Sequence, residues 1–497
     1  MSFKQILKVT SRPKIAQKEL FSADTSSASG QNPFYVAPSS SVSKEADAGS
    51  SMPYVTINGA QITEIESMVL SETDILPKIK IMFTDTLGAI SGPNYPKNDP
   101  ILSLYIKVSS ESLKPIRVDF LITSIKSSQD AILDADSMGL SAEFIMSGEL
   151  FIPKIYNNFN KAYRNMGSKL ALESLAADLD LGFSHNDSGT NDTMTWINPN
   201  RNGIYFINHI ARHSYLNDNT FFDCFIDKFF HLTMVNVSTQ LEVSDEVDLT
   251  YEQRIESAEL ERNPDSKNKS AAGDKDTNEA LAVLQLTNNH RFRGRSEYIS
   301  SFSLQGDVGS ILKNKGFKKR IYYYDHTLDS DDKFTKFYVE PVEIKGLNKK
   351  TQLIPANQTL KSNVVSKWMN IDYGNNHREW NAASLINDHN MAELSKVRLK
   401  VETGGINMQV LRGSSIKVNI FNFKAESKTR LSQTSEKPQI GDQDLDISGD
   451  QGDQIPDNIL SGTYYVIGVK YIYDSSESFK TEFDLCRINW ISENIID

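Results

Sequence analysis

Cysteine is nearly absent from this 497-residue chain. Cys224 and Cys486 are its two copies, too few for a disulfide framework or a four-thiolate zinc site, and in keeping with folding in a reducing compartment. Long apolar runs are missing as well. No stretch approaches the roughly 18 consecutive apolar residues of a membrane span, so no membrane anchoring is expected. The leader MSFKQILKVTSRPKIAQ is interrupted by Lys4, Lys8, Arg12 and Lys14 and lacks the apolar block of a signal peptide. Positive charge is in deficit, with 53 Lys and Arg against 64 Asp and Glu and a net charge of −11, which argues against extended wrapping of nucleic acid. The chain also contains no Gly-x-Ser-x-Gly elbow, P-loop, Gly-x-Gly-x-x-Gly or Cys-x-x-Cys.

What is present is β-type sequence rich in Phe and Tyr, 24 and 19 copies. Residues 1–51 read as a flexible N-terminal arm, with the Ser-rich runs TSSASG and PSSSVSK behind a basic leader that could dock elsewhere as a tether. Period-2 alternation begins near Tyr54. It continues through Ile79, Ile81 and Phe83, through Leu102, Leu104, Ile106 and Val108, and through Val118, Phe120 and Ile122 to Phe144. Residues 52–152 are therefore expected to form a compact antiparallel β-domain, a barrel or a sandwich.

The pattern then changes. Leu172, Leu175, Ala176 and Leu179 follow helical spacing behind Ser168 as N-cap, with Gly182 as terminator, and Ile204, Ile207 and Ala211 suggest a second helix. A dense aromatic run from Phe221 to Phe230 follows. Residues 153–250 read as an α+β domain, 251–281 as a charged linker, 282–392 as a mixed β/α domain, and 393–497 as a second barrel carrying an acidic loop insertion at 424–459. The predicted fold class is mainly β: two antiparallel barrels and a smaller α+β domain.

Few residues suggest chemistry. His209 and His213 sit at i and i+4, but Ile210 stands where a zinc protease needs Glu, so they read as polar histidines on a helix flank. Asp442, Asp444 and Asp446 alternate as in a calcium loop, without its Gly and its final Glu. The clusters HRFRGR (290–295) and KNKGFKKR (313–320) mix Arg or Lys with Phe. They could grip phosphate and bases, meet an acidic chain, or solvate a rim. Trp196, Trp368 and Trp380 could stack on sugars but read more simply as core. No catalytic residue, cofactor or metal is assigned.

A repeat is more informative. KIKI (78–81) matches RLKV (398–401), LSLYI (102–106) matches IKVNI (416–420), ITSIK (122–126) matches VIGVK (466–470), and SAEFI (141–145) matches KTEFD (480–484), all in the same order. Two similar barrels in one chain allow three chains to present six near-equivalent modules, and so to join a threefold object to a sixfold tube.

With these segments, the chain resembles the baseplate hub proteins of contractile-tailed phages. KIKIMFTDTLGAISGPNYPKNDPILSLYI resembles the first hub barrel. The Leu-rich helix, Asp192-Thr193-Met194-Thr195-Trp196-Ile197 and FFDCFIDKFFHLTMVNV resemble the block after it. NHREWNAASLINDHN leads into a stretch resembling the second barrel, which SGTYYVIGVKYIY and FKTEFDLCRINW close. The resemblance implies a non-enzymatic homotrimer with a pseudo-sixfold ring, a tail tube above, a cell-puncturing spike below and wedge proteins around it. DNA or tape measure would pass through the channel of a virion baseplate assembled in the host cytoplasm. The alternatives are the hub of a genome-free contractile injection particle, and a tail-associated cell-wall glycan hydrolase or glycan-binding β-protein.

Overall fold

In a computed structural model the described residues are 8–11, 13–14, 53–62, 64–85, 90, 95–106, 116–129, 142–186, 189–241, 283–286, 298–306, 318–324, 334–339, 364–370, 376–395, 397–407, 410–420, 460, 462–475 and 478–487. The acidic insertion, the charged linker and the cluster at 290–295 lie outside them, as do Asp442, Asp444 and Asp446.

Alternation in the sequence becomes alternation of burial. In β5 (Lys78–Asp85) Ile79, Ile81 and Phe83 are buried while Lys78 and Lys80 are exposed. Its partner β8 (Ala142–Leu150) alternates buried and half-buried residues throughout, and Phe144 stacks on Phe83 with ring centroids 5.3 Å apart. With β2 (Tyr54–Ile57), β3 (Ala60–Ile62), β4 (Glu64–Glu72), β6 (Ile101–Ile106) and β7 (Ile116–Gln129), these form a first module in the order β4-β5-β8-β7-β6-β2-β3, antiparallel throughout.

An α+β unit follows. β9 (Phe159–Met166) pairs with β11 (Met194–Arg201) as a ribbon. α1 (Ser168–Asp178) and α2 (Gly203–His213) are packed against each other. β10 (Gly182–His185), β12 (Phe222–Ile226) and β13 (His231–Asn236) make a sheet, after which α3 (Val237–Leu241) turns away. Two local expectations are corrected. Ser168 is the first helical residue rather than the cap, because the Asp192 carboxylate accepts its N–H at 2.8 Å and does the capping. Gly182 does not end α1; the helix stops at Asp178, Asp180 turns left-handed (φ 61°), and Gly182 opens β10. In the N-terminal arm, residues Lys8–Ser11 form β1, which docks antiparallel on β10. The leader completes an edge of this sheet.

β14 (Val283–Leu286) and β15 (Tyr298–Gly306) fall within the block expected as one mixed 282–392 domain, yet they pair into the sheet of the second barrel. β16 (Lys318–Tyr324), β17 (Phe334–Val339) and β18 (Val364–Asn370) form a separate three-stranded sheet, which holds Lys318, Lys319, Arg320 and Trp368. α4 (Trp380–Leu394) packs on α2. The second barrel adds β19 (Val397–Gly404), β20 (Ser415–Asn419), β21 (Gly462–Asp474) and β22 (Ser478–Arg487), and its pairings close the circuit β15-β19-β22-β21-β20-β14-β15. It is not wholly antiparallel, because β14 runs parallel to both of its neighbours.

Candidate functional site, an assembly seam

The two modules share one pairing scheme, and their registers show it residue by residue. Leu102 lies opposite Phe120, as Ile416 lies opposite Tyr464. β7 carries a bulge between Ile122 and Ser124, and β21 carries one between Val466 and Gly468. Beyond each bulge Ile125 faces Met146 and Val469 faces Phe483. Those partners in turn face Ile81 and Val401. Three of the four sequence matches are thus in register. The fourth is corrected by two residues: Met146, not Phe144, corresponds to Phe483.

The register also reveals a fifth pair that the sequence reading missed. β4 bulges between Ile65 and Ser67, then sets Met68 opposite Ile81. β15 bulges between Ile299 and Ser301, then sets Phe302 opposite Val401. A bulge is a one-residue insertion that bends its strand and is kept in place among versions of one fold. Two bulges at matching positions mark β4 and β15 as counterparts and the modules as versions of one unit.

Within the chain the modules meet edge to edge. β21 leaves β20 after Tyr465 and continues alongside β4, with Val469 opposite Glu72 and Asp474 opposite Ser67. Both modules thereby merge into one 13-stranded sheet. Gly468 allows the approach, since a Cβ there would sit 2.7 Å from Thr73 Cγ2.

Two buried cations, one from the α+β unit and one from the second module, clamp this seam. Lys228, in the turn between β12 and β13, is wholly buried. Its Nζ lies 3.1 Å from Glu72 Oε1 and donates to Tyr471 Oη at 3.0 Å, so it joins β4 to β21. Burial alone would lower the Lys228 pKa, but Glu72 and Tyr471 outweigh it and hold the ammonium charged. Arg412, on the loop before β20, has its guanidinium 4.3 Å from the centre of the Phe225 ring and 3.7 Å from Asp223, and donates to the Asp74 carbonyl. Tyr465 Oη donates to the same Asp223 at 3.0 Å. Gly413 follows in a left-handed conformation (φ 84°), where a Cβ would meet Phe225 at 2.9 Å.

The residues singled out for chemistry take structural places. His209 and His213 pack with their ring centroids 5.0 Å apart, and His213 stacks on Trp380 at 3.7 Å. His213 Nδ1 bonds the His209 carbonyl at 2.8 Å, and burial lowers the His213 pKa to about 3. His377, half-buried beside them, bonds the His213 carbonyl at 3.0 Å. Arg212 forks onto Asp388, and Asn387 donates to the Arg212 and Ser214 carbonyls, so the group fastens α4 to α2. Trp196 is buried and its Nε1–H donates to the Met166 carbonyl at 2.9 Å. Cys224 and Cys486 are buried free thiols. Among the described residues no cluster of three or more His, Cys, Asp or Glu is placed to hold a metal, and no helix is long and apolar enough to cross a membrane.

No protein-family model matches the chain, and no curated protein sequence matches it. Among solved structures it is similar to phage tail proteins. The 43 kDa tail protein of prophage MuSo2 from Shewanella oneidensis aligns at 8% identity over 88% of this chain and 99% of that one, with a TM-score of 0.48. A tail protein from Neisseria meningitidis aligns at 10% identity over 90% and 99%, with a TM-score of 0.46. An E. coli component of the type VI secretion system, described as structurally similar to the T4 tail proteins gp27 and gp5, aligns at 9% identity over 89% and 80%, with a TM-score of 0.39.

Proposed function

We propose that this chain is the structural hub of a contractile-tail baseplate. Three copies set their six modules in a pseudo-sixfold ring, which receives the sixfold tail tube above and the threefold cell-puncturing spike below. Wedge proteins surround the ring, and DNA passes through its centre. The protein works through interfaces and carries out no catalysis. The observation that supports this reading best is the duplicated module, joined edge to edge within one chain with matching bulges. Such a joint already sets two of six ring positions side by side, so a threefold object gains near-sixfold character.

The test is the mass of the purified protein by light scattering over a range of concentrations, followed by negative-stain imaging. A trimer of about three times 55.8 kDa with a six-lobed ring is expected. A particle of any other symmetry overturns the reading.

A further inference from the structure

Each module also carries a strand that outruns its neighbour and, among the described residues, pairs on one side only over that stretch. β7 corresponds to β21, and it too outruns its short neighbour: pairing with β6 stops at Leu121 opposite Ile101, matching Tyr465 opposite Ser415. Beyond that point β21 runs alongside β4. The equivalent overhang of β7, residues 123–129, pairs with β8 on one side and with no described strand on the other. Thr123, Ser124, Lys126, Ser127 and Ser128 are exposed.

β15 corresponds to β4. On the side away from β19 it meets β14 at Tyr298 and Ile299 only. Residues 300–306 have no described strand partner on that side. Ser301, Ser303, Gln305 and Gly306 are exposed and Leu304 is 37% exposed. In the joined seam the corresponding stretches bury Met68, Leu70, Glu72, Val469, Tyr471 and Tyr473. An open strand edge of this length is a template for adding another strand.

We propose that these two edges join copies of the chain: residues 125–129 of β7 pair antiparallel with residues 302–306 of β15 in a second copy. The register is inherited from the seam within the chain. Val469 opposite Glu72 becomes Ile125 opposite Gly306, and Tyr471 opposite Leu70 becomes Ser127 opposite Leu304. The contact is head to tail, because the two edges are different surfaces, and such a contact generates closed rings or filaments rather than isolated pairs. This rests on the hub reading and specifies which surfaces would close its ring.

Cysteine cross-linking of the full chain tests the register. Opposed Cβ atoms on antiparallel strands lie about 4.5–5.5 Å apart, near disulfide reach, and both natural thiols are buried. The variant S127C/L304C, mildly oxidised, is expected to give covalent dimers and trimers on a non-reducing gel. S128C/L304C, whose side chains project to opposite faces, should give at least about tenfold less product. Both substitutions fall on exposed positions, and circular dichroism checks that folding is unaffected. Mixing the two single-cysteine variants isolates the link between chains, and only the heterodimer is expected. Protein that is trimeric by light scattering but does not cross-link at 127 and 304 overturns this seam and leaves the hub reading standing. Protein that is monomeric at every concentration and yields no covalent product overturns both. A product confined to single chains shows that another part of the same chain covers these edges, and it too overturns the proposal.

Discussion

Replacing Glu72 with leucine should open the joint between the two modules. Lys228 Nζ lies 3.1 Å from Glu72 Oε1 with both side chains buried. At an effective dielectric of about 20 their attraction is about 5 kcal/mol. Much of it offsets the desolvation of both ions, so the net value of the pair is small. Breaking it is another matter. E72L leaves a buried ammonium with the Tyr471 hydroxyl as its near partner, at an expected cost of about 3–5 kcal/mol. Hydrogen exchange of the β4 and β21 amides reads this locally. At about 1.4 kcal/mol per factor of ten, exchange across 67–72 and 469–474 should quicken by roughly 10² to 10³·⁵, while β16–β18 are unchanged. Adding K228M removes the stranded charge, and the double variant should return to within about 1 kcal/mol of the parent or exceed it. A cost below about 1 kcal/mol for E72L alone, or a double variant as unstable as the single, would refute the clamp.

Acid should loosen the α2–α4 contact. Burial, together with the neighbouring His209, Arg212 and His377, holds the His213 pKa down to about 3, with only the His209 carbonyl opposing. A histidine depressed in the folded state is neutral there while the unfolded chain takes up its proton. Stability from His213 is therefore full above about pH 6.5 and falls as pH drops toward 3, by up to about 5 kcal/mol; His209 and His377, also lowered by burial, add to the slope of denaturant midpoints against pH, and H213Q should remove one proton of it. G468A should destabilise the seam by about 1–3 kcal/mol in equilibrium unfolding, since its Cβ lands 2.7 Å from Thr73 Cγ2. The thiols should resist alkylation at pH 8 until the protein unfolds, because burial pushes Cys486 up to about 12 and raises Cys224 further.

The strands with strong alternation were legible in the sequence, and three of the four repeat matches were in register. The two-residue error at β8 and β22 follows from the side-chain period: a shift of two restores the same face, so alternation alone does not distinguish the registers. β15 escaped notice because YISSFSLQG places Ser or Gln at most alternate positions, and an exposed edge strand carries little apolar signal. The bulges, which proved the best evidence of repetition, leave no trace in residue type. Lys228 had a readable sign, a lone lysine within FFDCFIDKFF. Its partner Glu72 lies 156 residues away, and spacing cannot indicate which carboxylate it meets.

The clamp explains why the two seams need not be equivalent. By the register, Glu72 corresponds to Gly306, Tyr471 to Ser127 and Gly468 to Ser124. The edges left for a second copy therefore lack the carboxylate, the phenol and the close-packed glycine that fix the seam within the chain. A strand joint supported mainly by backbone hydrogen bonds, each worth about 0.5–1.5 kcal/mol net, is weaker than one with a buried ionic lock. The inner joint can then persist as each chain folds, while the outer ones form and dissolve with concentration. Placing the carboxylate and the phenol at the outer edges without the lysine tests whether these edges meet. Gly306→Glu with Ser127→Tyr still lacks a Lys228 counterpart, so the new carboxylate would be stranded by pairing, and the midpoint for self-association by light scattering should move to higher concentration. If the midpoint is unmoved, position 306 stays in solvent and these edges do not meet.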